Sequence, residues 1–126
     1  MTSPLEGVKV VEMTSVVLGP YACQMLGDLG ADVIKIEPPG GDTNRNLGPH
    51  SRHGDMCSMY LGCNRNKRSV ALDLKSDRGR EAALEIMQSA DVVVHNFRPQ
   101  AMARLGLDYE AVRAVNPEVV YCATYG

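Results

Sequence analysis

Apolar positions gather into five short runs separated by amphipathic stretches. The runs are "VKVVEM" (8–13), "DVIKIE" (32–37), "SVALDL" (69–74), "DVVVHN" (91–96) and "VVYCAT" (119–124). Each is short and valine-rich, with Gly, Pro or Asp at its borders. Near-continuous apolar strands of this kind suit a parallel sheet covered on both faces. Between them the period changes to that of a helix. In 20–29, Ala22, Met25, Leu26 and Leu29 share a face, and Gly30 closes the segment. In 77–89, Ala82, Ala83, Ile86 and Met87 form a stripe behind the N-cap Ser76. Residues 99–105 start on proline and stop at Gly106; 109–115 stop at Asn116–Pro117.

Strand–helix alternation predicts an α/β, Rossmann-like doubly wound, mostly parallel sheet with flanking helices. One segment, 38–63, breaks the rhythm. It holds "PPGGD", His50 and His53, and little periodicity beyond a short helix expected near 56–61. Loops this long are commonly functional or wrap a partner. The closing "VVYCATYG" reads as a core strand entering a turn. Residues 1–126 are therefore expected to be the N-terminal part of a larger domain.

Composition narrows the classes. A chain of 126 residues suits one domain or a piece of one. Thirteen Lys and Arg stand against fifteen Asp and Glu, which disfavours a dedicated nucleic-acid binder. No apolar run approaches the roughly 20 residues of a membrane helix, and no export signal opens the chain. Cys23, Cys57, Cys63 and Cys122 are accordingly read as reduced thiols in a cytoplasmic protein. His50, His53, Cys57 and Cys63 match no standard zinc spacing, so no metal is expected.

In open parallel sheets ligands bind beyond the carboxyl ends of the strands. That rule selects three loops: 14–20, Lys75 with Ser76, and 96–99. They offer two cations (Lys75, Arg98), the ring of Phe97, the amide of Asn96 and a glycine, Gly19, allowing close backbone approach. The set suits a ligand with a flat ring and phosphates. Gly19 lacks the companions of the G-x-G-x-x-G fingerprint, which disfavours a dinucleotide site. Arg65, Lys67 and Arg68 precede the third predicted strand and Lys75 follows it. A five-residue strand spans about 17 Å, so the four cannot share one phosphate. Lys75 is assigned to the ligand. The trio is left to a peripheral phosphate, a partner subunit or a solvated basic turn.

His95, ending a buried strand, reads as a packed and hydrogen-bonded histidine rather than a general base. Phe97 could stack on a ring or plug the core. Arg98 at a helix start opposes the helix dipole, which suggests an anionic ligand, whereas Arg104 near a helix end is already favoured there. Asp28 and Asp42 read as helix-end and turn residues, not nucleophiles.

Three long blocks carry a resemblance: "PLEGVKVVEMTSVVLGPYACQMLGDLGADVIKIEPPGGD", "NRNKRSVALDLKSDRGREAAL" and "ADVVVHNFRPQAMARLGLDYEAV", with "NPEVVYCATYG" at the end. They resemble the family III CoA-transferases, which include formyl-CoA and carnitine-CoA transferases and α-methylacyl-CoA racemases. The resemblance implies an acyl-CoA:carboxylate CoA-transferase. Its substrates would be coenzyme A thioesters and a carboxylic acid, with no permanently bound cofactor, in an interlocked homodimer. It also implies that Val16, Val17 and Leu18 line the thiol end of CoA. Leu72, Lys75, Asn96, Phe97, Arg98 and Arg104 would contact its nucleotide part, with Arg98 near the thioester in racemases. The phosphates of CoA become the awaited anion. Val17 stands where some transferases have glutamine, and Pro38 where others have arginine, which weakens a formyl-CoA:oxalate assignment. The family's catalytic aspartate, and the racemases' His and Asp, match positions beyond Gly126. The chain alone is therefore expected to be inactive. A racemase fragment and a non-catalytic CoA- or nucleotide-binding module are the alternatives; an NAD-dependent dehydrogenase domain is a more distant one.

Overall fold

The computed structural model describes residues 2–49, 52 and 56–125. Five strands form one parallel sheet: β1 (Lys9–Met13), β2 (Asp32–Glu37), β3 (Lys67–Ala71), β4 (Val92–His95) and β5 (Val120–Ala123). Their order across the sheet is β3-β2-β1-β4-β5. The chain steps outward from β1 to β3, then returns to place β4 beside β1. Register is set by hydrophobic alternation: Val10 and Val11 of β1 face Val33 and Ile34 of β2 on one side, and Val92 and Val93 of β4 on the other.

The connecting helices are α1 (Leu18–Asp28), α2 (Ser58–Asn64), α3 (Asp77–Gln88), α4 (Pro99–Leu105) and α5 (Tyr109–Val115). A 3-10 turn spans Thr43–Asn46. Ser76 caps α3 by accepting from the Gly79 amide, Asp108 caps α5 by accepting from Ala111, and Gly106 ends α4 with φ 66°. These are the ends that the capping residues predict.

Two cores result. On one face Val11, Met13, Ile36 and Val93 pack against Ala83, Met87, Met102, Leu107 and Val112 of the α3–α5 layer. On the other, Val10, Val33 and Val94 meet Cys23 of α1. Strands alternate their side chains, so Glu12 and Lys35 fall on the α1 face with Val10 and Val33.

The structure corrects the third predicted strand. It starts two residues earlier than expected, at Lys67, and stops at Ala71, with Val33 opposite Lys67 and Glu37 opposite Ala71. Lys67 and Arg68 therefore lie on the strand rather than before it. The cause is a charge buried beneath α1: Lys67 Nζ lies 2.6 Å from Glu12 Oε2, and its side chain is 2% exposed. Beyond Ala71, Leu72 and Leu74 pack against the α3–α5 core. The short helix expected near 56–61 is α2 (Ser58–Asn64), and the structure adds the 3-10 turn at Thr43–Asn46, which the sequence reading did not foresee. His50 and His53 lie outside the described residues; among the described ones no cluster of three His, Cys, Asp or Glu side chains is placed to hold a metal. No helix there is long and apolar enough to cross a membrane. All four cysteines are free thiols.

Candidate functional site

At the carboxyl ends of β1, β2 and β3 two adjoining cavities open, of about 490 and 210 Å³, and they share Met13, Ile36, Glu37, Pro38 and Phe97 as walls. The larger is closed by Leu72, Lys75, Pro39 and Leu105. The smaller reaches Thr14, Ser15, Lys35 and Asp42. Together they form a cleft beside the point where strand order reverses, the place that an open α/β sheet offers a ligand.

Phe97 is 38% exposed, so it walls the cleft and keeps a face available instead of plugging the core. Lys75 is exposed and forms no ion pair among the described residues. Leu72 extends the β2–β3 ladder by donating its amide to Glu37 O at 2.9 Å, which fixes its place on the wall. Arg98 is the N-terminal residue flanking α4 and Arg104 lies in its last turn, where Nε donates to Gln100 O at 3.3 Å. Neither arginine lines either cavity.

Val16 and Val17 end the loop between β1 and α1, Leu18 is the first residue of α1, and all three are exposed. Val16 has φ 71°, a left-handed conformation for a β-branched residue. That conformation costs on the order of 1–3 kcal/mol and persists only where the surroundings over-determine it. Asn96 reaches this loop from β4: Oδ1 accepts from the Ser15 amide at 3.2 Å and Nδ2 donates to Ser15 O at 3.0 Å. Gly19 allows α1 to start against β1, since a Cβ there would lie 2.5 Å from the Thr14 side chain. Leu72, Lys75 and Phe97 thus line the cleft; Asn96 is joined to the neighbouring loop at Ser15, and Val16, Val17, Leu18 and Asn96 line neither cavity.

Beneath the loops lies a buried charge network that sequence reasoning did not single out. Lys35 Nζ donates to Thr14 O at 2.6 Å and sits 3.3 Å from Glu12 Oε1 and 3.1 Å from Asp42 Oδ2. Glu12 thereby meets both Lys35 and Lys67. Burial pushes the Lys67 ammonium pKa down, and the neighbouring Glu12 carboxylate opposes that. Glu37 accepts from Arg45 Nε and Nη2, the Asp42 amide, Tyr60 Oη and Ser69 Oγ, all within 2.7–2.8 Å. Burial would raise its pKa; the Arg45 fork, the amide and the two hydroxyls outweigh it and hold Glu37 far below the ordinary carboxylate range. Burial and the Glu37 carboxylate push the Tyr60 phenol up. A signal was present in the sequence: Glu12, Lys35 and Glu37 interrupt strands that must be buried, and a buried charge requires a partner.

The upstream cations are spoken for. Arg65 pairs with Asp28 and Arg68 with Asp32, both near the surface, while Lys67 is internal. They serve the fold as separate ion pairs, and Lys75 is the one cation of the four on the cleft wall. Asp28 ends α1 and Asp42 caps the 3-10 turn. His95 is buried, its ring tilted 5.0 Å from that of Tyr121; burial lowers its pKa, and a hydrogen bond to the Phe97 backbone opposes this.

Comparison with known proteins places the chain in a family. The chain is 45% identical to the succinate–glutarate CoA-transferase of Agrobacterium fabrum, over 98% of this chain and 32% of that protein. It is 43% identical to the human succinyl-CoA:glutarate CoA-transferase, over 98% of this chain and 28% of that one. A formyl-CoA:oxalate CoA-transferase of Streptomyces avermitilis is also 43% identical, across the full chain and 31% of its own length. Among solved structures, a CAIB/BAIF family protein from Brucella suis superposes with a TM-score of 0.93 at 42% identity, covering 98% of this chain and 33% of that one. The chain spans about a third of the length of these relatives. The model of CoA-transferase family III matches residues 5–126, and the chain belongs to that family.

Proposed function

We propose that this chain supplies half of the coenzyme A site of an acyl-CoA:carboxylate CoA-transferase. The observation that carries the reading is the cleft itself, where Lys75 and the open ring of Phe97 share walls with Leu72 and Pro38. A flat adenine suits the ring and apolar walls, and a phosphate suits the lysine. The 16–18 loop takes the pantetheine thiol end. Arg98 and Arg104, outside the cavities, meet phosphate oxygens that project from the cleft. The names of the relatives support a dicarboxylic acid as the CoA acceptor. In this reading residues 1–126 supply binding surface, and the catalytic carboxylate comes from outside them.

Two further features fit this reading. Leu18, Tyr21, Met25 and Leu29 form an exposed apolar stripe along α1, which suits contact with a second copy in a homodimer. Four free thiols suit a reducing cytoplasm.

Titration calorimetry tests the binding claim. Coenzyme A is expected to bind, dephospho-coenzyme A more weakly, and NAD not at all. Lys75→Glu should weaken coenzyme A binding about tenfold, the loss of a charge-assisted hydrogen bond and its reversal. Equal affinity for coenzyme A and NAD, or indifference to Lys75→Glu, overturns the reading.

A further inference from the structure

Three consecutive backbone carbonyls of the β1–α1 loop are each held by a side chain from a different element. Thr14 O accepts from Lys35 Nζ of β2 at 2.6 Å. Ser15 O accepts from Asn96 Nδ2, beyond β4, at 3.0 Å. Val16 O accepts from Asn44 Nδ2 in the 3-10 turn. Asn44 is itself fixed: 1% exposed, its amide donates to Asp42 Oδ1 at 2.9 Å and its carbonyl accepts from Cys57 Sγ at 2.8 Å. Asp42 anchors two arms of this clasp, since its other carboxylate oxygen lies 3.1 Å from Lys35 Nζ.

The residue at the centre of the clasp is the strained one. Val16 has φ 71° and is 56% exposed, so its side chain gains little from the core in return for the conformation. Glycine would take the same φ without steric cost. Packing therefore does not explain the strain.

We propose that Asn44 is a positioning residue. With Lys35 and Asn96 it locks Val16 in the left-handed conformation that aims the 16–18 loop at the thiol end of the coenzyme. The functional half of this inference rests on the coenzyme A reading above; the conformational half does not. Asn44 lines neither cavity and acts through the Val16 carbonyl.

The test uses the isotopically labelled 126-residue chain. Positive φ gives a strong amide-to-α-proton cross-peak within Val16. Asn44→Ala and Asn44→Asp both remove the donor, and the second preserves side-chain size should the first fail to fold. Each is expected to abolish the strong cross-peak and to weaken coenzyme A binding about tenfold. Adding Val16→Gly to Asn44→Ala should restore most of the affinity, because glycine needs no clasp to reach that φ. A residue that merely supported the fold would show no such rescue. Persistence of the cross-peak in both Asn44 variants overturns the clasp. Failure of Val16→Gly to rescue, in a variant with an unchanged melting midpoint, overturns its role in binding. Absence of coenzyme A binding by the unaltered chain refutes the coenzyme reading and, with it, the functional half, while the cross-peak still judges the clasp.

Discussion

At the scale of single residues, burial separates side chains that look alike in the string. Lys67 and Arg68 are neighbours, yet the first is 2% exposed against a fully buried Glu12 and the second 66% exposed against Asp32. Lys67→Met leaves Glu12 with one of its two cations and strands charge in the interior. It should lower urea-unfolding stability by about 3–5 kcal/mol. Arg68→Ala should lower it by no more than about 1 kcal/mol; equal losses would show that burial does not govern the two pairs. Glu37 gives a pH prediction. Its folded pKa is held far below the ordinary 4.5, so the unfolded chain takes up the proton first. Its contribution is full above pH 4.5 and falls away as the pH drops below that value. Glu37→Gln should destabilise the chain at pH 7 and flatten the loss of stability between about pH 5 and 3. A mutant with the same acid slope as the parent excludes Glu37 as its source. Phe97 was legible because the end of β4 can be located from pattern; Lys75 lines the cleft although β3 ends four residues before it, at Ala71. Asn44 was not legible: nothing local distinguishes a clasping asparagine from any other turn asparagine.

At the scale of elements, the caps and breakers marked the helices well. Ser76, Pro99, Gly106 and Asn116 each stand within a residue of a helix end. β3 was misplaced for a physical reason. Its outer position in the sheet leaves most of it exposed or half-buried, so its apolar residues do not mark its borders. An ion pair contributed by β1 decides where it begins. Two helical glycines separate local propensity from tertiary crowding. Gly79 in α3 is pressed against the preceding loop, where a Cβ would lie 1.9 Å from Asp73 O. Gly62 in α2 has nothing within 4 Å of that point. Gly62→Ala should stabilise by about 0.5–1 kcal/mol through helix propensity alone. Gly79→Ala should destabilise by about 1–3 kcal/mol despite the same gain, because backbone must move to admit the methyl. Thermal and urea unfolding of the two variants read this directly, and shifts of the same sign would contradict the close approach.

At the scale of the whole molecule, two concave surfaces lie on different parts of the sheet. The cleft sits at the ends of β1–β3. A second cavity, of about 810 Å³, lies by β4 and β5, where His95, Met102, Tyr109, Tyr121 and Tyr125 line its wall. It shares no lining residue with the cleft. The sequence foretold a doubly wound sheet, but not which strands would stay uncovered, since that depends on what packs against β5. Its strand residues are half-buried or exposed, Val120 at 60%. An aromatic hollow of this size on a folded chain should bind an apolar reporter dye such as anilinonaphthalene sulfonate under native conditions. Coenzyme A in the cleft should leave that fluorescence in place. By linkage, coenzyme at a hundred times its dissociation constant adds about 2.7 kcal/mol of stability. For a chain of this length that corresponds to a rise of about 10 °C in the melting midpoint. A raised midpoint with dye retained places the ligand at the ends of β1–β3, away from the hollow at the ends of β4 and β5. Dye displaced in step with coenzyme binding would move the ligand to the β5 side and remove the cleft from the reading.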